Sequence, residues 1–165
     1  MNTQDLIVQQ PPTPLHLVLL FHGVGSNAPD LAPLGEALAP HLPDAVIVSV
    51  QAPDAAGRGW HWFSVQGVTE ADRPARVAAA MPGFVQTVQR WQEAAALAPA
   101  QTTLIGFSQG GTVALEATAD SSASGLRFDT VADVAEYPWL SWRWKVPALN
   151  GKVSSIRSAQ RKRAR

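Results

Sequence analysis

A serine between two glycines is the strongest sign of chemistry in this sequence. The segment Gly-Phe-Ser-Gln-Gly-Gly, which begins at Gly106, has the pattern G-x-S-x-G. The apolar segment Thr102–Phe107 predicts a buried strand, and Thr112–Ala119 favours a helix. A sharp turn from strand to helix presents a serine hydroxyl at its tip, and glycines such as Gly106 and Gly110 leave room for that turn. The pattern therefore predicts a nucleophile at Ser108.

A second glycine-rich segment, His22-Gly23-Val24-Gly25, could assist such a serine. Acyl transfer through a serine passes through an oxyanion, which needs two N–H donors. One donor is the N–H group of the residue after the serine, here Gln109, and the other comes from a loop after an earlier strand. We predict that Val24 supplies the second. Both segments also have simpler interpretations: a strand-to-helix loop without chemistry, and a histidine that is only hydrogen-bonded structurally.

Predicted strands alternate with amphipathic helices before residue 120. Short apolar runs predict strands covered on both faces, and these are Leu15–Phe21, Ala45–Val50 and Thr102–Phe107. Leucines at helical spacing from Leu31 to Leu38 predict one helix. An apolar stripe from Val77 to Ala95 predicts another, which Pro82 should kink or split. This alternation predicts the α/β class, with a parallel sheet flanked by helices.

Charge divides the chain into unlike parts. Thirteen basic and thirteen acidic residues give zero net charge over 165 residues, but residues 1–140 carry −8 and residues 141–165 carry +8. Together with the strand and helix pattern, this asymmetry suggests several segments. We predict a Pro-rich lead-in (1–14), an α/β domain (15–119), a β-like segment (120–150) and a basic, disordered tail (151–165).

Composition excludes several kinds of site. Without cysteine there is no disulfide or thiolate–metal framework, and the histidines lack the spacing of zinc ligands. The sequence has no phosphate-binding glycine loop, so we predict neither a metal nor a cofactor. No apolar run reaches the roughly 18 residues of a membrane span. The first basic residue is Arg58, which argues against a signal peptide and favours a cytoplasmic protein.

Three motifs together resemble the bacterial phospholipase/carboxylesterase family, which includes acyl-protein thioesterases and small serine esterases. They are Leu20–Ser26, Trp62–Val68 and Gly106–Gly111, in the order that the family has them. The resemblance covers about residues 15–119. It implies an α/β-hydrolase fold, incomplete in this chain, and the hydrolysis of a small carboxylic ester or acyl thioester.

The resemblance also implies roles for individual residues. It makes Ser108 the nucleophile and the N–H groups of Val24 and Gln109 the oxyanion donors. The flanking motif residues support these groups, and they are His22, Gly23, Gly106 and Gly110. Trp62 and Phe63 would lie on a loop near the acyl pocket, although ordinary core packing explains buried aromatic residues equally well.

The general base of the implied Ser-Asp-His triad is missing. In this fold an acid and then a histidine follow the nucleophile. All four histidines, His16, His22, His41 and His61, precede Ser108. A serine hydroxyl without a base is a poor nucleophile. We therefore expect a truncated family member that is a weak esterase or inactive.

Residues 120–165 do not resemble the family. Residues 126–131 and 140–146 alternate apolar with polar side chains, which predicts half-exposed strands. Tryptophans that alternate with basic residues could stack on nucleic acid. A strand with one core face and one solvated face is the simpler interpretation, so we predict no specific nucleic-acid partner. Two alternatives to an esterase stay open: a non-catalytic binding protein, and a fusion or frameshift product that retains a relict serine turn.

Overall fold

A mixed β-sheet organises residues 4–119, the part of the chain that the computed structural model describes. The strands are β1 (Leu6–Gln9), β2 (His16–Phe21), β3 (Ala45–Val50), β4 (Asp54–Ala56), β5 (Gly59–His61) and β6 (Thr102–Gly106). Four of them form one sheet in the order β1-β3-β2-β6. In this sheet β2 pairs in parallel with β3 and β6, whereas β1 pairs antiparallel with β3. The short strands β4 and β5 form a separate antiparallel pair.

Helices pack on both faces of the larger sheet. They are α1 (Ala32–Leu38), α2 (Arg73–Ala95) and α3 (Gln109–Ala119), with 3-10 turns at Ala28–Leu31, Ala39–His41 and Pro99–Gln101. Phe84 of α2 and Val113 of α3 share a buried cluster with Leu19 of β2. Leu38 of α1 packs in a second cluster with Leu20, because successive strand residues point to opposite faces. Within the described residues no helix has the length and apolar character needed to cross a membrane.

The α/β class and the three predicted strands are confirmed. Strand β3 has the predicted bounds, and β2 and β6 are each one residue shorter than predicted. Continuous apolar runs predicted β2 and β3 well because both strands are almost entirely buried. Helix α2 continues through Pro82 as one element and does not split. Val77 before the proline and Phe84 after it belong to the same buried cluster, which holds both parts of the helix on the sheet.

Strand β1 lies within the segment assigned to a Pro-rich lead-in (1–14), where no strand was predicted, and its antiparallel pairing with β3 makes the sheet mixed instead of wholly parallel as predicted. The carboxylate of Asp5, directly before β1, holds this segment in place. It accepts hydrogen bonds from the N–H group of Gln51 at 2.9 Å and from the side chains of Arg90 and Trp91 at 3.0 Å each. Asp5 thereby ties the start of the chain to α2 and to the end of β3. The predicted segments 120–150 and 151–165 lie outside the described residues.

Replacing Asp5 with alanine should lower the free energy of unfolding by about 2–4 kcal/mol, because three donors lose their common acceptor. The Asp5 side chain is only 2% exposed, so water does not readily replace it. Urea denaturation measures the loss. The matched control is Glu36→Ala, which removes an exposed acid from α1 and should change the free energy by less than about 0.5 kcal/mol. Equal losses in the two variants would contradict this role of Asp5.

Candidate active site

Ser108 lies between β6 and α3 in an unusual backbone conformation. Its φ angle is +52°, and among the non-glycine residues of the described segment only Ala96 also has a positive φ. A left-handed conformation costs a non-glycine residue on the order of 1 kcal/mol, so surrounding contacts must impose it. Ser108 is exposed, and its hydroxyl makes no hydrogen bond within residues 4–119. The side chain is therefore open to an incoming molecule.

The glycines around Ser108 are required by close backbone contacts. A Cβ atom at Gly106 would overlap the backbone of Gly110 and Gly111. A Cβ atom at Gly110 would overlap the carbonyl group of Phe21 and lie 2.7 Å from the carbonyl oxygen of His22. The strand-to-helix turn can therefore pack against the end of β2 only when these positions have no side chain.

The loop after β2 lies directly against the serine. A Cβ atom placed on Gly23 would be 3.3 Å from the Cβ atom of Ser108 and 3.2 Å from the ring of Phe107. The backbone N–H groups of Val24 and Gln109 donate no hydrogen bond within residues 4–119. The structure thus brings the two predicted donor segments to the same end of the sheet, and a role of the Val24 and Gln109 N–H groups as oxyanion donors stays a prediction.

His22 is a fully buried member of this loop, with both ring nitrogens in hydrogen bonds. The N–H group of Ala52 donates to Nε2 at 3.1 Å. Because Nε2 accepts, Nδ1 carries the proton and donates to the carbonyl oxygen of Gly23 at 2.7 Å. Burial, the dominant effect, lowers the pKa of His22 from its ordinary value. His22 therefore holds the loop as a neutral side chain and has no free nitrogen to act as a base.

The other histidines do not bond to Ser108 either. His16 begins β2, about 17 Å along the strand from the end that adjoins the serine. His41 is exposed in the turn that precedes β3, and His61 ends β5 opposite Asp54. Within residues 4–119, no histidine or acid is hydrogen-bonded to the serine, and no group of such side chains is placed to hold a metal ion.

Trp62 and Phe63, predicted on a loop near an acyl pocket, are 5% and 6% exposed and belong to the core. The Trp62 ring packs edge-on against Phe21, with ring centres 5.4 Å apart, and against Phe84 at 5.6 Å. A cavity of about 230 Å³ beside α2 has Trp62 in its wall, but Ser108 does not line it. These contacts show that Trp62 and Phe63 pack in the core. A role of the two residues near an acyl group stays a prediction.

The side chain of Gln109 makes two hydrogen bonds that the sequence did not predict. Its Oε1 atom accepts a hydrogen bond from the N–H group of Trp62 at 2.8 Å, and its Nε2 atom donates to the carbonyl oxygen of Phe63 at 2.7 Å. The Trp62 indole N–H in turn donates to the carbonyl oxygen of His22 at 2.8 Å. The only local sign of these hydrogen bonds in the sequence was the polar character of Gln109, a residue that is buried in the structure.

The chain is similar in sequence and in fold to known esterases. Residues 2–127 match the family model described as phospholipase/carboxylesterase. Esterase YpfH of Escherichia coli K12 is 46% identical over 119 residues, which are 70% of this chain and 51% of that protein. The crystal structure of esterase PE8 is 33% identical with a TM-score of 0.59, and the match covers 64% of this chain and 51% of that one.

A carboxylesterase from Mesorhizobium loti shares the fold at 21% identity, with a TM-score of 0.52 over 62% of this chain and 47% of that one. The chain spans about half the length of these relatives.

An alanine at Gly110 should lower the free energy of unfolding by about 2 kcal/mol or more, because its Cβ atom would overlap backbone that cannot easily move. Gly83→Ala is the matched control. No atom lies within 4 Å of a Cβ at Gly83, which is inside α2, so this change should stabilise the fold by about 0.5–1 kcal/mol. Urea denaturation of both variants measures the difference. Equal effects would contradict the close packing at Gly110.

Stability should fall in mild acid because of His22. Its folded-state pKa is lowered below the ordinary value of 6.5, so the unfolded chain binds this proton more readily. The contribution of neutral His22 to the free energy of unfolding is complete above about pH 6.5 and is lost as the pH falls from there towards the folded-state pKa. The free energy of unfolding should fall by at most about 1.4 kcal/mol per pH unit in this range. Urea denaturation from about pH 8 to about pH 5 measures the slope. His22→Gln should reduce it, and His41→Gln, at an exposed site, should not. The same slope in both variants would exclude His22 as its source.

Proposed function

Because this chain belongs to the phospholipase/carboxylesterase family, we propose that it carries the nucleophile and the oxyanion donors of a serine hydrolase acting on carboxylic esters or thioesters. The observation that carries this proposal is the conformation of Ser108. It has a φ of +52° at the tip of a strand-to-helix turn, and its hydroxyl has no partner within residues 4–119. A strained, exposed serine with glycine-packed surroundings is the arrangement that serine acyl transfer requires.

In the proposed reaction the Ser108 oxygen attacks the carbonyl carbon of a small ester or acyl thioester. The negative charge that develops on the carbonyl oxygen is stabilised by the N–H groups of Val24 and Gln109, which have no acceptor within the described residues. The position of Gln109 at the start of α3 adds the favourable end of the helix dipole. The bond to the leaving alcohol or thiol breaks, the leaving group takes up a proton, and water then releases the acid from the serine.

The described residues offer no side chain that is bonded to Ser108 and could accept its proton. No described histidine is bonded to Ser108, and residues 120–165 contain no histidine. In serine hydrolases that lack triad members, binding and the oxyanion donors still leave an acceleration of roughly 10³–10⁴ over water. We therefore propose slow acyl transfer by this chain alone, with the proton passing to water. A full rate would need a base supplied from outside this sequence.

A fluorophosphonate probe tests the proposal, because it reacts with an activated serine by losing fluoride and leaving a phosphonyl group on the oxygen. Intact-protein and peptide mass spectrometry should find one adduct, at Ser108. In Ser108→Ala the adduct should fall at least about 100-fold, as expected when the nucleophile itself is removed. Ser64→Ala, which removes another exposed serine hydroxyl, should label like the parent protein. No adduct on the folded parent protein, or an adduct that persists in Ser108→Ala, would overturn the proposal.

A further inference from the structure

The segment Trp60–Phe63 connects the two backbone segments that carry the proposed oxyanion donors. At one end, the side-chain amide of Gln109 bonds to two successive residues of this segment, accepting from Trp62 N–H and donating to the carbonyl oxygen of Phe63. An amide that uses both its ends in this way cannot rotate without breaking a bond. The side chain of Gln109 therefore fixes the start of α3 relative to the segment.

The same segment is bonded to the loop after β2. The Trp62 indole donates to the carbonyl oxygen of His22 at 2.8 Å. The carbonyl oxygen of Trp60 accepts a hydrogen bond from Gly25 N–H at 2.8 Å, and the N–H group of Trp60 donates to the carbonyl oxygen of Ser26 at 2.9 Å. Val24 thus lies between two residues, His22 and Gly25, that are each held by this segment. A continuous series of hydrogen bonds runs from the Gln109 side chain to the loop that contains Val24.

Burial makes the part of this series that runs through Gln109, Trp62 and His22 rigid. Gln109 and Trp62 are each 5% exposed, so water does not compete for the hydrogen bonds that their side chains make. Removing one partner would leave a buried carbonyl or N–H group without a bond, which the surrounding backbone can relieve only by moving. The groups that would move include the peptide units next to Val24 and Gln109. An oxyanion site depends on the spacing of its two donors, and small displacements lower the rate strongly.

We propose that the Trp62 indole and the side-chain amide of Gln109 are positioning residues, which hold the N–H groups of Val24 and Gln109 at the spacing that one oxyanion requires. This inference rests on the proposed function of Ser108. It assigns to Trp62 a task that differs from contact with an acyl group: the indole acts through the His22 carbonyl, inside the core. It also predicts that the Gln109 side chain does not touch substrate, because both its polar atoms are already bonded to Trp62 and Phe63.

A matched pair of tryptophan variants tests the inference. Trp62→Phe removes the indole N–H but keeps an aromatic ring in the core. Trp91→Phe makes the same change at a residue that is 4% exposed in the same buried cluster and donates to Asp5 instead of to the loop after β2. Both variants should lower the midpoint of thermal unfolding. Only Trp62→Phe should lower the maximal rate of Ser108 phosphonylation, by about tenfold, with the half-saturating probe concentration unchanged.

If the protein does not react with the probe, the proposed function is wrong. The positioning role of Trp62 and Gln109 is then tested by a second measurement that needs no reaction. Backbone amide order parameters from NMR relaxation should fall at Val24 and Gln109 in Trp62→Phe and stay unchanged in Trp91→Phe. Gln109→Met, which removes the side-chain amide and keeps the N–H group, should reproduce the effect and replaces Trp62→Phe if that variant does not fold. Unchanged order parameters, or equal rate losses in the two tryptophan variants, would overturn the inference.

Discussion

The hydrogen bond from Phe107 N–H to the carbonyl oxygen of Phe21, 2.9 Å long, continues the parallel pairing of β2 and β6 beyond the last residue of β6. It brings the strand-to-helix turn so close to the end of β2 that Gly110 has no space for a Cβ atom. The chain must then reverse within a few residues, and Ser108 takes up the left-handed conformation that the reversal requires. The position of the serine is therefore a consequence of backbone packing at the end of the sheet.

A buried polar network supports the neighbouring loop. Ser49 donates to the carbonyl oxygen of Ala28 at 2.6 Å, and Gln51 accepts from the N–H group of Ala28 at 3.0 Å. His22 joins this region through its bond with Ala52 N–H. Because buried polar groups are costly when they lack a partner, these bonds restrict the loop to few conformations. A loop fixed in this way can keep an N–H group free for an acceptor without collapsing onto another part of the chain.

The sequence predicted those features that depend on short stretches of chain. Apolar runs identified β2 and β3 because both strands are buried, and the glycine spacing identified the turn at Ser108 because its packing allows no side chain. Strand β1 was missed because it is short, lies at the edge of the sheet formed by the described residues and has half-exposed side chains. The residues that hold it, which bind the carboxylate of Asp5, are distant in the sequence. The side chain of Gln109 bonds to residues 46 and 47 positions away, and the Trp62 indole bonds to a residue 40 positions away. No local pattern could therefore indicate these hydrogen bonds. A buried tryptophan suits an acyl pocket and a core equally, and only the fold distinguishes the two.

The proposed chemistry at Ser108 requires that the N–H groups of Val24 and Gln109 together hold the oxygen of a group attached to this serine. A crystal structure of the chain after reaction with a phosphonate probe measures this directly. If both N–H groups bind the oxyanion, one phosphonyl oxygen should lie within about 2.7–3.1 Å of both backbone nitrogen atoms, with the Gln109 side chain still bonded to Trp62 and Phe63. A phosphonyl group on Ser108 with its oxygen directed to solvent, or bonded to only one of these N–H groups, would contradict it.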